Sequence, residues 1–306
     1  MTINLTDKIF TDETAAREHL EAIRWPDGPV CTHCGCTDKV YRLAGKSHRP
    51  GLIHCNNCDG SFTVKTGSVM ESSHVPLHKW VLAFRLLASS KKGMSAHQLH
   101  RTIGVTYKTA WFMWHRVREA MRDGKLSPMG GSGSPVEVDE TYTGRRIGVP
   151  KQRTGSAHKN VVLTLVERGG SARSFHVDGT RVADVAPIVR ANIKRESRLM
   201  TDEAPHYREV GREYASHETV NHGREEYARG DVTTNTVEGY YSIFKRGMKG
   251  VYQHCSEKHL HRYLAEFDFR YSNRAALGVG DTERSDRAIK GAAGKRLTYR
   301  QPRSTQ

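Results

Sequence analysis

Two short cysteine pairs constrain this chain more than anything else in it. Cys31-Thr-His-Cys34 and Cys55-Asn-Asn-Cys58 each set two thiols on one side of a tight turn, with 20 residues between Cys34 and Cys55. Two such knuckles complete a tetrahedral site for one structural Zn²⁺, for which thiolates at this spacing are preferred ligands. Val40, Tyr41, Ile53, Phe62 and Val64 surround them with aromatic and β-branched residues that suit short strands. So small a unit buries too little to fold on apolar contacts alone, and the metal supplies much of its stability. The competing reading is a redox pair or unrelated thiols. Cys36, His33 and His54 are near enough to substitute as ligands, but two pairs already supply four, so they read as bystanders. Cys255 reads as a core or half-buried thiol rather than a nucleophile.

With 306 residues, two or three domains are expected. Hydrophobic residues make up 37% and charged residues 26%, which excludes wholesale disorder. The formal net charge of +15 favours a polyanionic partner, because each cation near a phosphate releases condensed counterions. A membrane surface is the rival, yet no apolar run approaches the roughly 20 residues that span a bilayer. The start, MTINLTDKIF, lacks the layout of a signal peptide, so the expected location is the cytoplasm, with the nucleoid. Thiols stay reduced there, which suits metal ligands better than disulfides.

Four segments separate by composition: 15–70 around the cysteines, 75–125 with helical patterning, 135–275 with alternating strand-like and helix-like runs, and a basic tail at 276–306. Gly130-Gly131-Ser132-Gly133-Ser134 is a flexible joint between the second and third. In the second segment, Pro76 to Leu87 predicts a helix with Leu77, Trp80, Val81 and Phe84 on one stripe. Ser95 stands three residues before Gln98, a capping-box spacing that opens a short helix ending at Gly104. Thr106 then caps a helix whose Ala110, Trp111, Trp114, Val117 and Met121 repeat at three and four residues. Two short helices joined by a glycine turn predict a helix-turn-helix, with Tyr107, Lys108, Thr109 and Arg116 facing DNA. The alternative is a small bundle that only links domains.

The third segment carries the chemistry. Val136-Glu-Val-Asp139 predicts a strand ending in a carboxylate, followed by strands at Asn160 to Val166 and Arg173 to Val177 and a helix from Val182 to Glu196. Arg198-Leu-Met-Thr-Asp202 is another strand ending in Asp, and a helix from Asn235 contains Glu238. This α/β order suits an RNase H-like sheet, in which two strand ends and one packed helix converge. At 100° per residue, Glu238, Ser242, Lys245 and Lys249 share one stripe, with Asn235 and Arg246 at its edge; Val237, Tyr240, Tyr241, Ile243, Phe244 and Met248 take the other face. Three carboxylates are what two Mg²⁺ ions need to activate an attacking oxygen and stabilise a leaving one at an anionic phosphodiester. The lysines cannot hold those ions but can hold DNA beside them. Glu140 and Glu203 adjoin the chosen Asp residues, and strand alternation lets one of each pair reach the metals. Glu137 shares a face with Asp139 and can approach it. His217 and His222 read as polar residues of a strand edge.

Taken in order, these residues resemble the DDE transposases of bacterial insertion sequences, in the ISXO-like group that carries a zinc ribbon. The matching stretches are the two cysteine pairs, Val138-Asp-Glu-Thr-Tyr142, Thr201-Asp-Glu203, Asn235-Thr-Val-Glu-Gly239 with Lys245-Arg246-Gly247, and His259-Leu-His-Arg-Tyr263 through Phe267, Arg270, Asn273 and Arg274. By that resemblance Asp139, Asp202 and Glu238 are the catalytic triad and bind Mg²⁺ (or Mn²⁺). Cys31, Cys34, Cys55 and Cys58 are the zinc ligands. The partners implied are double-stranded DNA, both transposon ends and target, and the act of joining two ends calls for a homodimer or larger assembly. The rival functions are a DNA-binding regulator without catalysis and an RNase H-like nuclease or resolvase.

Overall fold

The computed structural model describes residues 4–124 and 126–298, which fall into two compact units. The first comprises residues 4–90, 94–122 and 280–298. It opens with helix α1 (Glu13–Arg24), whose first turn is capped by the Asp12 side chain accepting from the Ala15 N–H. Strands β1 (Val40–Arg42), β2 (Ile53–Cys55) and β3 (Gly60–Phe62) form an antiparallel sheet in that order, with Val40 opposite Cys55 and Ile53 opposite Phe62. Ile53, Cys55 and Phe62 are fully buried, and Trp25 packs edge-on against Phe62 at 5.7 Å.

Helix α2 (Leu77–Ser89) begins where the Glu13 carboxylate accepts the Leu77 and His78 N–H groups. Its Trp80, Val81, Phe84 and Leu87 are buried, as the sequence stripe predicts. In α3 (Ala96–Ile103) the Ser95 hydroxyl accepts from the Gln98 N–H, and Gly104 ends the helix at φ +64°, a conformation that costs a residue with a side chain about 1–2 kcal/mol. Thr106 caps α4 (Tyr107–Met121) by accepting from the Thr109 N–H. From Met113 to Met121, however, α4 is buried on every side.

The second unit, residues 91–93 and 123–279, is built on a five-stranded sheet. Its strands are β4 (Pro135–Thr143), β5 (Asn160–Glu167), β6 (Ala172–Val177), β7 (Arg198–Thr201) and β8 (Ser216–Thr219), ordered β6-β5-β4-β7-β8. The first three are antiparallel, whereas β7 and β8 run parallel to β4. Helix α5 (Val182–Asn192) and the short α6 (Tyr207–Gly211) cover one face, where Val136, Val138, Leu163, Leu165 and Leu199 are buried. A hairpin of β9 (Ala228–Arg229) and β10 (Val232–Thr233) leads into α7 (Asn235–Gly247), a single π-helical turn at Met248–Tyr252 and α8 (Leu260–Ser272). The last two α-helices bury Val237, Tyr240, Tyr241, Phe244, Leu264 and Phe267 with Val162 and Val166 on the opposite face.

Two expectations are corrected here. The strand at Val136 does not end at Asp139: β4 runs on to Thr143, because β5 pairs with it up to the Thr143–Asn160 step. The expected basic tail instead contains α9 (Asp281–Lys290), which packs on α2, α1 and α4 through Arg284, Ser285, Ala288 and Ile289. Beyond it Gly291 lies so close to α4 that a Cβ would meet the Ala120 carbonyl oxygen at 2.4 Å. Lys295 donates to the carbonyls of Ala120 and Arg122, satisfying the orphan C-terminal acceptors of α4. The tail residues Arg300 and Arg303 lie outside the described residues. Among the described residues, no helix is long and apolar enough to cross a membrane.

Candidate functional site

The cysteine knuckles meet as expected. The Sγ atoms of Cys31 and Cys58 are 3.6 Å apart and those of Cys34 and Cys55 are 3.7 Å apart, with all four within 4.8 Å of one another. Thiolates on a tetrahedral Zn²⁺ at about 2.3 Å are separated by about 3.8 Å, while a disulfide needs about 2.05 Å. The backbone N–H of Cys36 and the Asn57 amide lower the Cys34 thiol to about 6, so a thiolate is favoured there. Cys36 itself turns away to the Asp38 carboxylate, His54 bonds Ser61, and His33 stands edge-on to Phe62. None of the three joins the quartet.

The carboxylates of the second unit are placed by the fork between two strands. Pairing of β4 with parallel β7 ends at Glu137 and Met200, so Asp139 faces the opening where those strands part, and Asp202 follows directly on β7. The third carboxylate depends on Glu137. This side chain, 0% exposed, accepts from the N–H groups of Thr236 (2.7 Å) and Val237 (2.9 Å), from the Thr236 hydroxyl (2.7 Å), and from Arg168 (2.7 and 3.0 Å). An anion at a helix N-terminus satisfies the orphan N–H groups and the helix dipole together. Glu137 therefore pins the start of α7 to β4 and fixes Glu238 in the first turn; it is not available to metals, contrary to the approach expected from its face. Tyr241 adds a second tie by donating to the Asp139 carbonyl oxygen.

Asp139 is pushed up to about 7, chiefly by burial, with the nearby Glu140, Asp202 and Glu238 charges adding to the shift and the Glu140 N–H opposing it. Burial and the Glu140 and Glu203 charges likewise raise Asp202, whose Oδ1 accepts the Ala204 N–H at 3.0 Å. Glu238 accepts from the Thr234 hydroxyl at 2.9 Å and has His222 at 3.7 Å. The neighbours of the two Asp residues are committed elsewhere. Glu140 bonds His206 (2.7 Å) and Tyr207, and Glu203 accepts the N–H groups of His222 and Gly223. Burial works to lower His206, but Glu140, Asp202 and Asp139 outweigh it and raise it. His217 faces Thr201 at 2.9 Å and is lowered by burial, a structural role. Among the described residues, the group of three or more ligand atoms within 4.8 Å of one another is the cysteine quartet, so Asp139, Asp202 and Glu238 share a neighbourhood without touching.

Of the residues expected to face DNA, Tyr107 is exposed and stacked on His97 at 4.2 Å, Lys108 is exposed and Thr109 half-buried. Lys245, Arg246 and Lys249 are exposed along α7 and its π-helical extension. Arg116 is the exception. It is 9% exposed, lies over the Phe112 ring and donates to the Glu71 and Leu297 carbonyls, because the C-terminal segment covers that side of α4.

Two family models match the chain. Residues 130–272 match the ISXO2-like transposase domain, and residues 11–61 match the transposase zinc-ribbon domain. The chain is 30% identical over 281 residues to an uncharacterized protein in transposable element ISH50 of Halobacterium salinarum, covering 86% of this chain and 92% of that one. The chain belongs to the ISXO2-like transposase family. The four-cysteine cluster within its zinc-ribbon domain supports a structural zinc ion. A chain in the cryoEM structure of the simian T-cell lymphotropic virus intasome with PP2A regulatory subunit B56 gamma is similar at 15% identity and a TM-score of 0.31, over 56% of this chain and 63% of that one.

Proposed function

We propose that this family member is an active DDE transposase: an RNase H-like domain over 135–275 cuts and rejoins DNA, a zinc ribbon at 15–70 and a helix-turn-helix at 75–125 hold it. The observation that carries this reading is the position of Asp139 at the β4–β7 fork, close enough to Asp202 and Glu238 for both charges to raise it. In a chain of net charge +15, two desolvated aspartates with a third carboxylate nearby are a site for cations. Their hard oxygen donors fit Mg²⁺ or Mn²⁺, with Asp139, Asp202 and Glu238 as ligands. Two such ions supply the Lewis acidity that phosphoryl transfer on DNA requires.

The protein's own groups do the rest. Glu137 and Tyr241 hold α7 against β4, so the two strand carboxylates and the helix carboxylate keep their spacing. Lys245, Arg246 and Lys249 offer cations to the DNA backbone, and Tyr107, Lys108 and Thr109 at the start of α4 meet bases or phosphates of the element's ends. Joining two ends calls for a homodimer or larger assembly.

The test is Mg²⁺-dependent cleavage and strand transfer on DNA carrying the element's ends, with Asp139→Asn, Asp202→Asn and Glu238→Gln. Each variant is expected to lose both steps by at least about 10²-fold while binding ends. Cleavage by the unaltered protein without joining of a pre-cut end would favour a nuclease or resolvase. End binding without cleavage, unchanged by Asp202→Asn, would favour a regulator.

A further inference from the structure

The five-stranded sheet divides at the carboxylates. Up to the Glu137–Met200 step β4 pairs with β7. Beyond it β4 stays with β5, where Asp139 lies opposite Thr164, while β7 stays with β8 through the Thr201–Thr219 step. Asp139 and Asp202 stand on opposite sides of that division, each two residues past the last shared step. No backbone ladder sets the distance between them. The bonds from Glu137 and Tyr241 tie α7 to β4 and leave Asp202 untouched.

Among the described residues, the hydrogen bonds that join β4 beyond Glu137 to the segment 201–207 both end on one atom, Oε1 of Glu140. It accepts from His206 Nε2 at 2.7 Å and from the Tyr207 hydroxyl. Glu140 is the residue after Asp139, and His206 and Tyr207 follow Asp202 by four and five residues, where α6 starts. Strand alternation turns Asp139 to the α7 face with Glu137 and Glu140 to the α6 face, where Tyr207 lies. The Glu140 side chain is 7% exposed, and Tyr207 is fully buried in the core that holds Val138 and Leu199. Apolar packing of that core is non-directional and tolerates a small slide. Two hydrogen bonds converging on one buried oxygen do not, because hydrogen bonds weaken steeply off their geometry and an unpaired buried hydroxyl or carboxylate is costly. The His206 ring leans on the Tyr207 ring at 4.3 Å, which fixes its own orientation.

We propose that Glu140, His206 and Tyr207 form a clasp that sets the separation of Asp139 and Asp202, making Glu140 a positioning residue for divalent ions rather than a ligand of them. The inference rests on the reading of the two aspartates as part of the metal site. Two ions about 3.5–4 Å apart need their carboxylates held to within about 0.5 Å. Glu140 follows Asp139 by a single strand rise of about 3.4 Å, so a shift of its backbone passes to Asp139 almost undiminished.

The experiment measures Mn²⁺ binding to the full chain with its zinc, without DNA, from the loss of the free-ion electron paramagnetic resonance signal. Asp139→Asn should abolish the binding assigned to the carboxylates. His206→Ala and Tyr207→Phe should each weaken it by about 10-fold or more, the usual effect of removing a partner that orients metal ligands. His206→Gln should restore most of the lost affinity, because its amide N–H reaches the place of the ring Nε2–H. Melting temperatures of the manganese-free variants report folding; Tyr207→Phe keeps the packed ring and removes one oxygen, so it carries the test if His206→Ala unfolds the unit. Unchanged affinity in the folded variants, or a loss that His206→Gln does not relieve, would overturn the clasp while the Asp139→Asn result upholds the metal site. Mn²⁺ binding that survives Asp139→Asn, or no binding by the unaltered protein, would overturn the metal-site reading and this inference with it.

Discussion

Replacing Glu137 with Gln tests whether the helix that carries Glu238 is held by a buried anion. The carboxylate spends both oxygens on donors: Oε2 on the Thr236 and Val237 N–H groups, Oε1 on the Thr236 hydroxyl and on Arg168. A glutamine amide has one acceptor, and either orientation turns its NH₂ against groups that themselves donate. Hydrogen bonds to a charged partner contribute roughly 1.5–3 kcal/mol each, and removing one member of a buried ion pair costs about 3–5 kcal/mol. These contributions overlap, so the expected loss is about 3 kcal/mol rather than their sum. For a unit of this size that is a fall of roughly 6–12 °C in melting temperature. Differential scanning calorimetry of the magnesium-free protein measures it directly. A shift below about 2 °C, with Mg²⁺ affinity reduced instead, would refute the anchoring role and return Glu137 to the metal site.

Three further outcomes are expected. Cys58→Ser should lose the bound zinc while Cys36→Ser keeps one equivalent, because Cys36 turns to Asp38; elemental analysis distinguishes them. Lys245→Ala should flatten the slope of log affinity against log salt by about 1, whereas Arg116→Ala should leave the slope alone and lower stability by about 2 kcal/mol through its two lost carbonyl bonds. Burial pushes Asp268 up to about 6 against the hydrogen bonds from Tyr240 and Ser174, so the folded state holds its proton more tightly than the unfolded chain does. Its contribution to stability is present below pH 3.8 and is lost as pH rises through 6, a difference of about 3 kcal/mol across that window. Urea denaturation at pH 4 and pH 6.5 should show that loss in the unaltered protein and a flatter profile in Asp268→Asn; identical profiles would refute it.

What the sequence made legible was whatever chemistry or periodicity repeats over short distances. Four cysteines at fixed spacing can do little else, Ser95 and Thr106 sit where caps belong, and the apolar stripe of α7 marks its packed face. Of the chosen carboxylates, Asp202 does follow a strand end, whereas Asp139 lies in the middle of β4, at a place set by where the pairing with β7 stops rather than by any local pattern. Strand β8 was missed because Ser216-His-Glu-Thr219 has no apolar alternation; His217 and Glu218 satisfy themselves on Thr201 and Arg198. Helix α9 was hidden by its charge, since Ala288 and Ile289 are its only apolar anchors in a run of acids and bases. Long-range pairings left no local trace. Nothing near Arg116 announces that a segment about 180 residues later covers it, and nothing near Glu137 announces its bond to a helix 100 residues on. His206 likewise owes its position to Glu140, 66 residues earlier, so sequence spacing alone could not find it.

The central claim is that Asp139, Asp202 and Glu238 hold divalent cations. Anomalous diffraction from crystals soaked in Mn²⁺, with DNA bound, tests it most directly. Manganese peaks within about 2.2 Å of oxygens from all three side chains are the expected result. Peaks elsewhere, or density at the β4–β7 fork that persists unchanged in Glu238→Gln, would contradict the account.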